Sequence, residues 1–234
     1  MSRETDHSGD ALDAVLHLMD RQVVDRDGLM VCKVDDVELT EHPDGSWEVT
    51  GLLAGPPALV PRYGGRLGRG LEGSWRRLGV QESDRLVPWR IGLALVDELG
   101  SGVTLLAERE GLLVRQTDSP PAPGDVRRRL NDVLQLDVRG PDGKSVGQVL
   151  DVRLRTVRRA PLELVAEGLV VGRGRPGGYL GYDRDGKQGP WLLNRLVRRL
   201  HRHSGYVPMS GVGRIDWDEQ RIEVTGPLQP LDHS

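Results

Sequence analysis

The stretch VDRDGLMVCKVDDVEL, Val24 to Leu39, decides how this chain folds. Asp27-Gly28 stands between two apolar runs, and Val31, Val34, Val37 and Leu39 follow it. Asp-Gly in that setting is the strongest short signal of a β-hairpin, and a two-residue turn of this kind holds both residues at positive φ. A second stretch, RGPDGKSVGQVLDVRL from Arg139 to Leu154, overlays the first at Asp142-Gly143. The overlay pairs Val31 with Val146, Val34 with Val149, Asp36 with Asp151 and Leu39 with Leu154. A hairpin written twice implies two copies of one unit.

Working outward, each hairpin is followed by a glycine-bounded apolar strand, GLLAG at 51–55 and GLVVG at 168–172. The segment Val15 to Val24 reads as the strand entering the first hairpin, with a helix as the competing reading because Leu12, Val15, Leu16 and Met19 fit a 3.6-residue period. Val87-Pro88-Trp89 and Val207-Pro208-Met209 look like equivalent ends of an insertion in each copy. The last hairpin, Arg214 to Thr225, turns at Asp218-Glu219. Ser119-Pro-Pro-Ala-Pro-Gly124 breaks both helix and central strand, so it reads as the linker. The expected organisation is mainly β: a first unit at 11–116, a Pro-rich linker at 117–127 and a second unit at 128–228.

Composition agrees with many short strands joined by tight turns: the 234 residues include 31 Gly and 15 Pro. There is no Phe, so Leu and Val fill the cores and five Trp serve as large anchors. Trp75, Trp89 and Trp191 are expected to bury their rings. Cys32 is the single cysteine, which excludes an intrachain disulfide and reads as a small buried hydrophobe. No apolar run reaches the ~20 residues of a membrane helix, and the opening MSRETDHSGD has no signal-peptide core, so the expected location is the cytoplasm. Lysine occurs only at positions 33, 144 and 187, an arginine bias that points to a GC-rich genome.

The DG hairpin with V-x-x-V-x-D, at Val31-x-x-Val34-x-Asp36 and again at Val146-x-x-Val149-x-Asp151, resembles the PRC-barrel family when taken with the GLLAG and GLVVG strands. That family is the small β-barrel of the reaction-centre cytoplasmic subunit and of the C-terminal domain of ribosome maturation factors. The resemblance covers most of both copies and implies two PRC-like β-barrels in tandem, each with a short helix in its insertion. It also implies a non-catalytic module that docks on proteins or ribonucleoprotein surfaces, with no cofactor and no catalytic residues to carry over. The chain departs from the family's usual settings, having neither a transmembrane helix nor a separate N-terminal barrel of the ribosome-maturation type.

Other motifs reduce to turns and loops. Gly172-x-Gly174-x-x-Gly177 fits a dinucleotide fingerprint, but the nearest helix start is Pro190, not the third glycine. Asp183-x-Asp185-Gly186 lacks the glycine and glutamate that a calcium loop needs at its sixth and twelfth positions. His201 and His203 sit two apart and diverge by about 200° on a helix, so they make no metal face.

Charge is the remaining functional signal. Residues 1–117 carry 13 basic and 20 acidic side chains, whereas residues 153–202 carry 12 basic and 4 acidic ones. The helix expected after Gly189-Pro190 puts Leu193, Leu196, Val197 and Leu200 on one face. Arg195, Arg198, Arg199 and Arg202 form a stripe on the other, beside Tyr182 and Trp191. The candidate binding site is therefore Arg195, Arg198, Arg199, Arg202, Tyr182 and Trp191. Three readings compete for the stripe: a solvated or intramolecular face, a site for an acidic protein, and a site for RNA or anionic lipid. The leading expectation is a non-enzymatic interaction or scaffold protein of the bacterial cytoplasm. The alternative is an RNA- or ribosome-associated protein using the 153–202 face. Both are compatible with self-association.

Overall fold

The computed structural model describes residues 11–59, 87–134, 136–172 and 204–231. The architecture is mainly β, with strands accounting for most of the ordered elements and only three one-turn α-helices among the described residues. Contacts divide the chain into two compact units. Of the described residues, the first holds 11–59, 87–129 and 153–167, and the second holds those of 130–152, 168–172 and 204–231.

Three hairpin turns share one local solution, dictated by an Asp-Gly pair. At Asp25–Leu29, His42–Ser46 and Gly140–Lys144 the first residue's N–H donates to the fifth residue's carbonyl, at 2.9 Å in each. The glycine N–H donates back to the first residue's carbonyl, and Gly28, Gly45 and Gly143 take φ of 79°, 83° and 75°. Only the glycine of each pair has positive φ, which corrects the two-residue turn expected from Asp27-Gly28. The loop is one residue longer, a type I turn closed by a left-handed glycine. Asp44 and Asp142 each accept from the backbone N–H two residues on, the usual reason for Asp at this position.

In the first unit, β1 (Ala11–Asp13) leads into α1 (Ala14–His17). The helical alternative for residues 15–24 therefore holds at its start, because Ala14 and Leu18 bury on one side of a single turn. Asp20, at φ 63°, ends that excursion before β2 (Gln22–Val24). β2 pairs antiparallel with β3 (Met30–Lys33). β4 (Asp36–Glu41) pairs antiparallel with β5 (Trp47–Ala54), where alternate residues Trp47, Val49 and Gly51 face the core. β5 continues to β6 (Trp89–Gly92), and a 3-10 turn at Leu93–Leu95 leads to β7 (Val96–Leu99) and β8 (Val103–Leu105). β8 pairs antiparallel with β7 and parallel with β2. β9 (Val114–Arg115) pairs with β6. The expected linker 117–127 runs from a 3-10 turn at Gln116–Asp118 into β10 (Val126–Arg129), which pairs with β4 along its whole length.

After α2 (Pro56–Leu59) and α3 (Leu130–Val133), the second unit repeats this order of pairings. β11 (Asp137–Arg139) pairs antiparallel with β12 (Ser145–Arg159) and parallel with β16 (Arg221–Val224), which pairs antiparallel with β15 (Val212–Asp216). β13 (Leu162–Gly172) pairs through its last five residues with β14 (Ser204–Pro208), which takes β17 (Gln229–Pro230) on its other side. A 3-10 turn at Met209–Gly211 precedes β15, as Leu93–Leu95 precedes β7. The outer parts of β12 and β13, residues 153–167, belong to the first unit.

The pairing register corrects one expected equivalence. Gly51 lies opposite Gly92, and Gly168 lies opposite Pro208. Aligned on these glycines, Ile91-Gly92 matches Val207-Pro208, and Val87-Pro88 falls before β6 altogether. Hydrogen bonding closes neither sheet into a barrel among the described residues.

Candidate functional site

Glu38 is the chemical centre of the first unit. It sits on β4, whose residues Asp36 to Thr40 are all buried, and its side chain is 1% exposed. A carboxylate there is tolerated only when its lone pairs are filled and its charge is matched. Arg90 Nε donates to Oε1 at 2.8 Å, and the Thr50 hydroxyl donates to the same oxygen at 3.0 Å. Gln116 Nε2 donates to Oε2 at 2.7 Å. Arg127 Nε lies 2.9 Å from Oε2 but off the line of a hydrogen bond, so it contributes as an ion pair.

Each partner is itself held. Arg90 also donates to the Thr50 carbonyl at 2.7 Å, and Arg127 donates to the Gln116 and Ser119 carbonyls. Gly51 makes room for Arg90: a Cβ there would stand 3.1 Å from the guanidinium Nε. In the second unit the matching glycine, Gly168, accommodates the Tyr206 ring, which a Cβ would meet at 2.4 Å. The glycines that open GLLAG and GLVVG thus seat a long side chain of the neighbouring strand. With both oxygens occupied and its side chain 1% exposed, Glu38 ties β4 to the segments that carry Arg90, Thr50 and Gln116.

His42 bridges two carboxylates nearer the surface. Its Nδ1 lies 2.9 Å from Asp125 Oδ1 and its Nε2 lies 3.4 Å from Glu48 Oε2. The Asp125 hydrogen bond, aided by charge from Asp125 and Glu48, raises the imidazole pKa above its ordinary value despite partial burial. The nearby Ser46 hydroxyl is spent on Asp44 at 2.6 Å, so this His–Asp pair orients no nucleophile there. Cys32 is half-buried rather than fully buried, and burial with a smaller push from Asp35 holds its thiol up at about 11. At that value it is a protonated, weakly nucleophilic group. An open cleft of about 470 Å³ is lined by Asp20, Arg21, Gln22, Glu98, Ser101 and Thr104. Arg21 is committed there to the Ser101 and Leu16 carbonyls.

No protein-family model matches the chain, and no curated protein matches its sequence. Among the described residues no group of His, Cys, Asp and Glu is arranged to hold a metal ion. Among the same residues no helix is long and apolar enough to cross a membrane.

The expected site residues Arg195, Arg198, Arg199, Arg202, Tyr182 and Trp191 lie outside the described residues, as does Trp75. Trp89 was expected to be buried but is 37% exposed, because the Arg115 guanidinium stacks over its ring at 3.9 Å and covers it only in part. Among the described residues, the tryptophan that anchors the core is Trp47, at 1%.

Among the described residues, three large apolar side chains are more than half exposed. Leu29 is 55% exposed, Met30 56% and Leu106 51%. Backbone bonding gathers them at one end of the sheet formed by β3, β2, β8 and β7. Asp25 N–H donates to the Leu29 carbonyl, Arg26 N–H donates to the Ala107 carbonyl, and Met30 pairs with Val24. Sequence reasoning passed over this tip because Leu29 and Met30 read as ordinary strand residues behind the turn. The signal available was two large apolar residues directly after a turn glycine.

Proposed function

We propose that the chain is a non-enzymatic interaction module built from two PRC-like β units, and that the first Asp-Gly hairpin is its docking tip. The observation that carries the reading is the exposure of three large apolar side chains, Leu29, Met30 and Leu106, each more than half exposed at one end of the β3-β2-β8-β7 sheet. Large apolar side chains left in water at one end of a sheet are what a protein partner covers. The recurrence of one order of pairings in both halves supports the tandem relation, and the docking role follows the PRC-barrel resemblance. Glu38, the buried carboxylate at the centre of the first unit, is held by Arg90, Thr50 and Gln116.

The RNA reading draws on arginines beyond Gly172. Within the described part of the basic segment, Arg153 is paired with Asp13 and Arg158 with Glu163, which lowers the charge left for phosphate. The test is recovery of partners by tagged protein, with and without nuclease, comparing wild type with Leu29→Asp/Leu106→Asp. Loss of a nuclease-resistant partner in the variant supports the docking tip. Unchanged recovery from the variant overturns it, and recovery that nuclease abolishes favours RNA.

A further inference from the structure

Two short strands pair far from their own neighbours in the chain, and their charges are opposite. β1 pairs with β12, placing Asp13 opposite Arg153, Leu12 opposite Leu154 and Ala11 opposite Arg155. β10 pairs with β4, placing Arg129 opposite Glu38, Arg128 opposite Leu39 and Arg127 opposite Thr40. All four segments lie inside the first unit. Asp36 to Glu41 and Asp151 to Thr156 are the matching stretches behind the two Asp-Gly turns, with Leu39 equivalent to Leu154 and Glu38 to Arg153. The backbone agrees: Asp36 Oδ1 accepts from Val37 N–H at 2.8 Å, and Asp151 Oδ1 accepts from Val152 N–H at 2.7 Å. β1 and β10 are equivalent in turn, since each precedes a one-turn helix and each pairs at the same register.

The first strand of each half therefore lies on the other half's hairpin. We infer that the inverted charges at four equivalent positions, Asp13 and Arg129 on the incoming strands and Glu38 and Arg153 on the receiving ones, select this exchanged pairing over the unexchanged one. In the exchanged arrangement the two charge-on-charge pairs, Asp13 with Arg153 and Arg129 with Glu38, are both of opposite sign. Arg153 Nε meets Asp13 Oδ1 at 3.1 Å with both side chains below a fifth exposed, and Glu38 receives Arg127 from β10. In the unexchanged arrangement Asp13 would lie opposite Glu38, and Arg129 opposite Arg153. Like charges directly opposed across a ladder repel, and more strongly away from water. The remainder of β10 reinforces the choice. Arg128 pairs with Glu41 at 3.0 Å, and Arg129 donates to the Pro57 carbonyl, whereas on β12 Arg129 would lie opposite Arg153 and Arg127 opposite Arg155.

The test is charge reversal in the full chain, read in two ways. In equilibrium unfolding, Asp13→Arg and Arg153→Asp each lower the folded-to-unfolded ratio severalfold, and Asp13→Arg/Arg153→Asp restores most of it. An Asp13→Arg variant as stable as wild type, or losses that multiply in the double variant, overturns the inference. The second readout survives poor folding yields. In a Cys32→Ser background, Ala11→Cys/Arg155→Cys forms a disulfide on oxidation and Ala11→Cys/Thr40→Cys does not. Adding Asp13→Arg reduces the first cross-link and brings up the second, because the introduced arginine is repelled by Arg153 and attracted by Glu38. Cross-linking unchanged by Asp13→Arg overturns the inference as well.

Discussion

Replacing Glu38 with alanine isolates the stabilising weight of the buried ion cluster. The substitution leaves the Arg90 and Arg127 side chains, 13% and 19% exposed, facing each other without a counter-charge. It also strands the Gln116 amide, which is buried at 8% exposure. Removing one member of a buried charged network typically costs about 3–5 kcal/mol, chiefly through the uncompensated charge that remains. Three hydrogen bonds and the Arg127 ion pair converge on Glu38 here, so the upper half of that range applies. For a chain of this length each kcal/mol moves the thermal midpoint by roughly 2–4 °C, giving a drop of about 8–20 °C. The control is Glu41→Ala, which breaks only the Arg128 pair, a quarter exposed on both sides, and costs about 0–1 kcal/mol. Calorimetry or denaturant unfolding of both variants measures the contrast. A Glu38→Ala loss no larger than that of Glu41→Ala would refute the reasoning, because it would mean that water reaches the two guanidiniums.

Three further outcomes are expected. Because His42 has a raised folded-state pKa, its bridge stabilises fully below the unfolded-state value and the contribution fades as pH rises through the folded value. Unfolding midpoints of wild type against His42→Gln should therefore differ most below about pH 6 and converge as the pH rises through the raised folded-state value. Trp47→Ala removes a ring that is 1% exposed and should cost about 3–5 kcal/mol, measured by urea unfolding. Gly147→Ala should destabilise by more than about 1 kcal/mol, since φ is 149° and the new Cβ would stand 2.5 Å from the Gly172 carbonyl oxygen. Gly111→Ala, at φ 78° in open space, should lose less in the same assay.

What could be read from the sequence was local. Asp27-Gly28 and Asp142-Gly143 announce their hairpins because turn chemistry acts within five residues, and GLLAG and GLVVG announce strands through their apolar runs. The precise turn type was not legible, since Asp-Gly serves two-residue and longer loops alike. β1 and β10 were missed for a physical reason: three or four residues carry no periodicity, and their partners lie on distant strands. The complementary runs DVELTE at 36–41 and VRRR at 126–129 were the available clue to the Glu38 cluster. The more regular arginine spacing at 195–202 lies outside the described residues.

The pairing of Asp13 with Arg153, 140 positions apart, has a consequence for synthesis. Among the described strands, β1 precedes the others in the chain, and its partner β12 follows it by about 140 residues. At about 5–20 residues per second, β1 leaves the ribosome roughly 7–28 s before its partner exists. During much of that interval the β4 edge is also bare, since β10 follows it by nearly 90 residues. A nascent chain with an idle strand and an open acidic edge is a substrate for chaperones and for pairing with neighbouring nascent chains. The sign of its charges then matters before folding is complete: β1 and β4 are both acidic, so the two segments waiting together repel rather than pair prematurely.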